Sequence, residues 1–79
     1  MSDRLAAHAA LLESLGAEIA RRRRAKGLLQ EDVSLRCGFN RAYLSVIEHG
    51  QRNPTVLTVA KIAEVLECKV SDLFKGGGH

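Results

Sequence analysis

Three residues do most to restrict the fold: Gly38, Phe39 and Asn40 separate two stretches that each read as one short helix. The stretch before them, residues 30 to 37, opens on Gln30, Glu31 and Asp32, and acidic side chains favour the positive end of a helix. Gly38 stops it, because glycine readily takes the backbone angles that follow a helix. Asn40 is a good N-cap for the next stretch, which ends near His49 and Gly50. Two short helices around so tight a corner leave few architectures open.

The flanking sequence is helical as well. Leu5, Leu12, Leu15 and Ile19 share one helix face within residues 4 to 25. Gly16 interrupts that block, so the sequence leaves open whether it is one helix or two. Gly27 ends it, behind Arg and Lys residues that suit a helix C-terminus. Residues 51 to 54 are a loop, Thr55 caps a fourth helix over about residues 56 to 67, and residues 71 to 74 form a last turn or short fifth helix. Strand formers are scarce, with three aromatics and no Trp, while Leu, Ala, Glu and Arg favour helix. The expected fold is all-α, a compact bundle of about five short helices in one domain. Its core covers about residues 12 to 74, and residues 75 to 79 are a flexible tail.

At 79 residues the chain is one domain at most, and chains this short are marginally stable without a partner. There is no room for the large concave pocket of an enzyme, and Ser45 has no base beside it. His8, His49 and His79 do not cluster with Cys37 or Cys68 at metal-ligand spacing, so no metal or other cofactor is expected. The two cysteines read as small buried hydrophobes. No segment approaches a membrane span or a secretory signal, so the expected place is the cytoplasm, associated with the nucleoid. No small-molecule effector is evident.

The formal net charge is +3, but its distribution says more: Arg21, Arg22, Arg23, Arg24 and Lys26 fall within six residues. Such a surface suits a polyanion, the plainer alternative being a solvated helix end. On a wheel of residues 41 to 48, Tyr43, Leu44 and Ile47 form an apolar packing face. Arg41, Ala42, Ser45 and Val46 point the other way, without an acid among them. Small side chains permit close approach to a DNA groove, and Arg41 has the donors to pair bidentately with guanine. Gln30 at a helix start suits a phosphate, and Arg52 and Asn53 lie in a loop that would face the DNA backbone.

The runs Gly27-Leu28-Leu29-Gln30-Glu31-Asp32-Val33, Cys37 to Glu48, and Gly50-Gln51-Arg52-Asn53-Pro54-Thr55 resemble the Cro- and lambda-repressor-like helix-turn-helix family, also called XRE. The resemblance spans about residues 15 to 74. It implies a dimer on a pseudo-palindromic operator in double-stranded DNA. It also implies base contacts from Arg41, Ala42, Ser45 and Val46, and phosphate contacts from Gln30, Tyr43, Arg52 and Asn53. Arg23 and Glu48 match a family ion pair joining the first helix to the end of the third, which would leave Arg21, Arg22 and Arg24 free for phosphates. Three positions depart from the pattern: Arg22 replaces a more usual apolar residue, Leu35 a polar one, and Ala42 an amide or hydroxyl. Within the family, the short form and the run Arg41 to Ser45 followed by Gly50 to Asn53 are similar to restriction-modification controller proteins.

Val56, Val59, Ile62, Ala63 and Leu66 share the core face of the fourth helix. Leu57 and Val65 fall on a second strip beside Lys61, and the family resemblance puts a homodimer contact near that helix and Phe74. The rival from another class is an antitoxin or protein-interaction module of the same fold, which acidic or bulky apolar residues on the third helix would favour.

Overall fold

The structure, a computed structural model, describes the backbone of residues 3–75 and the side chains from Ala6 to Lys75. Its five helices are α1 (Asp3–Ala25), α2 (Gln30–Cys37), α3 (Arg41–Glu48), α4 (Val56–Leu66) and α5 (Val70–Lys75). The described residues contain no strand. Lys75 forms the last turn of α5, while residues 76–79 of the expected tail and the side chain of Leu5 lie outside the described residues.

Each helix end has a local cause. The Asp32 carboxylate accepts the Leu29 N–H at 2.8 Å, closing the start of α2. Gly38 ends α2 at φ 83°, a left-handed angle that suits glycine, and its N–H donates to the Ser34 carbonyl at 2.9 Å. Asn40 Oδ1 accepts the Tyr43 N–H at 2.8 Å, and Thr55 Oγ1 accepts the Thr58 N–H at 3.1 Å. α4 ends on Glu67 at φ 59°, an uncommon angle for a residue with a Cβ. The Glu67 side chain meets Lys26 Nζ at 2.6 Å, tying the ends of α4 and α1 together.

α1 is one uninterrupted helix, and Gly16 is the reason it can pack where it does. A Cβ there would lie 2.3 Å from the Ile47 carbonyl oxygen and 2.5 Å from that of Glu48. Only glycine lets α1 cross so close to the end of α3. Gly50 serves a second approach: it stands at φ 72°, and a Cβ there would meet the α1 backbone at Glu13.

Leu15 and Ile19 of α1, Val33 of α2, Leu44 and Ile47 of α3, Ile62 and Leu66 of α4, and Leu73 of α5 form one core. Val59 and Ala63 complete the buried face of α4 as expected, but Val56 does not join them. It is 80% exposed, because the first residue of α4 projects past the core onto an open groove shared with Leu11, Leu12 and Phe74. Cys37 is buried, Cys68 is half-buried, and both are free thiols whose pKa values burial pushes up.

Candidate nucleic-acid interface

A buried ion pair anchors the site. Arg23 donates through Nε to Glu48 Oε2 at 2.7 Å and through Nη2 to Glu48 Oε1 at 3.1 Å. Its Nη1 reaches the Leu28 carbonyl at 2.9 Å, so one guanidinium joins α1, the α1–α2 loop and α3. The side chains of Arg23 and Glu48 are only 9% and 3% exposed, and such charges need their partners. Gln30 Nε2 completes the network by donating to Glu48 Oε1 at 2.9 Å. Sequence reasoning placed Gln30 at a phosphate and missed this bond. The signal is absent locally, since only the fold brings residue 30 to residue 48. The second amide hydrogen and the unpaired backbone N–H groups at the start of α2 remain available to an anion.

α3 buries Leu44 and Ile47 and half-buries Tyr43 against the core. On its other side Arg41 and Ala42 are exposed, and Ser45 and Val46 are half-buried. Two open grooves flank this face. One is lined by Arg23, Leu29, Gln30, Glu31 and Arg41. The other is lined by Phe39, Asn40, Ala42, Tyr43, Val46 and Arg52. Thus α3 and its surroundings gather the sequence-predicted residues, with one exception. Asn53 lines the apolar groove shared by Leu11, Pro54 and Val56, away from Arg52. Phe39, read from sequence only as a turn residue, packs edge-on to Tyr43 with centroids 5.1 Å apart.

The basic run of α1 differs from expectation. Arg21 and Arg22 are not unpartnered: Arg21 Nε donates to Glu18 Oε1 at 3.0 Å and Arg22 Nε to Glu18 Oε2 at 2.8 Å. Residues three and four apart on a helix are neighbours, so Glu18 reaches both. The Arg21 hydrogen bond holds the Glu18 carboxyl below its usual range, with burial opposing and Arg22 assisting. The same pairing explains how an arginine occupies the half-buried position 22, where an apolar residue is more usual. Among the described residues Arg24 alone of the run lacks a carboxylate partner.

Of the residues expected at a dimer contact, Leu57 is 66% exposed, and Val65 and Phe74 are half-buried. Val65 lines a groove with Lys26, Leu28 and Arg36, whereas Phe74 lines the apolar groove beside Val56. Among the described residues no group of three His, Cys, Asp or Glu side chains could hold a metal ion, and no helix is long and apolar enough to cross a membrane.

Two short helices cornered at Gly38, the second with a small, acid-free outer face, define a helix-turn-helix DNA-binding protein of the transcription-regulator kind. The chain belongs to the helix-turn-helix family, whose model HTH_3 matches residues 19–73. The uncharacterized HTH-type transcriptional regulator y4dJ of Sinorhizobium fredii is 52% identical over 52 residues, 66% of this chain and 68% of its own length. An HTH-type transcriptional regulator of Archaeoglobus fulgidus is 36% identical over 48 residues, 61% of this chain and 69% of its own. Among solved structures, the restriction-modification controller protein C.AhdI of Aeromonas hydrophila superposes with a TM-score of 0.77 at 35% identity, over 80% of this chain and 96% of its own. The clp gene regulator ClgR of Corynebacterium glutamicum superposes with a TM-score of 0.82 at 25% identity, over 85% of this chain and 71% of its own.

Proposed function

We propose that the chain is a sequence-specific transcriptional regulator that binds a pseudo-palindromic operator as a homodimer, with α3 in the major groove. The outer face of α3 carries this reading: Arg41 and Ala42 stand exposed beside Ser45 and Val46, with Gln30 on one flank and Arg52 on the other. Arg41 reads a guanine edge, Ala42 and Val46 give apolar contact such as a thymine methyl, and Ser45 hydrogen-bonds a base. Gln30 and Arg52 contact the backbone and set the register, with the Tyr43 ring beside Arg52. The acid-free face disfavours a protein partner in place of DNA. A salt series of binding to genomic fragments tests the class, since affinity for DNA falls steeply as salt rises. An affinity indifferent to salt would overturn it.

Arg41→Ala lowers affinity for the cognate site by about 1–3 kcal/mol and relaxes one base position. Selection from a randomised duplex pool reads both effects, and an unchanged preference would remove Arg41 from the base contacts.

The exposed Leu57 and the half-buried Val65 support a two-fold contact through α4, because a chain of this size gains stability from a second copy. Such a dimer sets paired α3 helices about 34 Å apart, one turn of DNA. Analytical ultracentrifugation of the double variant Leu57→Glu, Val65→Glu gives a monomer under conditions where the wild type is a dimer. Unchanged sedimentation with both half-sites still protected would place the contact elsewhere. The likeness to C.AhdI, which this chain covers over 96% of its length, favours the restriction-modification controller subtype. Binding upstream of a linked restriction gene is the check on that point.

A further inference from the structure

We infer that Tyr43 acts through its ring as a positioning residue, holding Arg52 ready for the DNA backbone. The inference rests on the DNA-binding reading above and deepens it. The Arg52 Cζ lies 5.6 Å from the Tyr43 ring centroid, within the range of a cation–π contact. Phe39 meets the same ring edge-on, at an interplanar angle of 89°. Phe39 and Tyr43 both pack against the core, so the ring under Arg52 is anchored.

Arg52 itself is exposed, in the loop after α3, and no carboxylate among the described residues lies within ion-pair distance of it. The ring is therefore what orients its guanidinium. A guanidinium stacked on a ring keeps its edge N–H groups free, and that edge is what pairs with a phosphate. Holding a long side chain in place beforehand lowers the ordering cost of binding. The location agrees: Phe39, Tyr43 and Arg52 line one groove with Ala42 and Val46, on the outer side of α3. The phenolic hydroxyl has no part in this role, and that separates it from a direct phosphate contact by Tyr43.

The test is titration of a labelled random-sequence duplex with the full chain over a range of salt. The proteins are wild type, Tyr43→Phe, Tyr43→Leu, Arg52→Ala and the double variant Tyr43→Leu, Arg52→Ala. Tyr43→Phe keeps the wild-type slope of log K against log salt. Tyr43→Leu makes the slope shallower by about 0.9, the equivalent of one phosphate contact. Arg52→Ala does the same, and the double variant loses nothing more. Proton NMR of the free proteins supplies a readout independent of DNA. The Arg52 δ-protons show an upfield ring-current shift in wild type and Tyr43→Phe, and lose it in Tyr43→Leu. If wild type binds but Tyr43→Leu keeps its slope, or Tyr43→Phe loses as much as Tyr43→Leu, the positioning role is overturned. If wild type shows no salt-dependent binding, the DNA reading itself falls. Absence of the ring-current shift in wild type removes the stack whatever the DNA result.

Discussion

Arg23→Ala destabilises the fold by about 3–5 kcal/mol, because it strands the Glu48 carboxylate without its cation. That carboxylate is 3% exposed, so water entering the space left by the guanidinium hydrates it without neutralising its charge. Gln30 remains as a donor, but a neutral amide does not neutralise the charge. The loss is a large share of the roughly 5–15 kcal/mol that holds a small domain folded. Glu48→Ala strands Arg23 in the same way. The double variant Arg23→Ala, Glu48→Ala loses less than the two single losses added together, since neither charge is then left buried without its partner. Urea unfolding of the four proteins forms the cycle. Strict additivity would show that the two residues do not act as a pair.

Gly16→Val destabilises the chain by about 3 kcal/mol, and the damage falls on the α1–α3 crossing. The Cβ alone would sit 2.3 Å from the Ile47 carbonyl oxygen, and a backbone atom cannot swing aside as a side chain can. α1 must move away from α3, which is the cost of overpacking a close contact. Valine, branched at Cβ, gains only a few tenths of a kcal/mol in helix propensity over glycine, roughly a tenth of that cost. The neighbouring Ala17→Val is the control, since Ala17 is exposed on the same helix. Thermal melts should show a fall for Gly16→Val several times that for Ala17→Val. A fall for Gly16→Val no larger than that for Ala17→Val would mean that the crossing tolerates a side chain at residue 16. The contact includes the Glu48 carbonyl, so the same displacement strains the Arg23–Glu48 pair.

These two residues mark where the sequence was legible and where it was not. The bounds of α2 and α3 could be read because their causes are local: Gly38 supplies the left-handed turn, and Asn40 caps the residue three places on. The outer face of α3 followed from helical period alone. Gly16 was read as an interruption because propensity sees only the neighbouring turns, whereas its role lies in contact with Ile47 and Glu48. The contacts of Gln30 with Glu48 and of Phe39 with Tyr43 were hidden for the same reason. Arg21 and Arg22 are a different case. Glu18 stands three and four residues before them, a spacing visible in the sequence, but counting charges in a row passed over the acid one turn away. Val56 was misassigned because a helical wheel says which face a residue shares, and not whether the core extends as far as the first turn.

The paired arginines bear on how the protein would find a rare site in a genome. Four of the five cations between Arg21 and Lys26 are matched to carboxylates of their own chain. Glu18, Glu48 and Glu67 offset part of that positive charge, so the run would release fewer DNA counterions than its composition suggests. Sticking to arbitrary sequence would be weakened accordingly, while the contacts proposed for α3 would be untouched. What matters among millions of competing sites is the ratio of cognate to random affinity. A partly neutralised run would raise that ratio by lowering its denominator, and would shorten the time the protein is detained on DNA it has no reason to read.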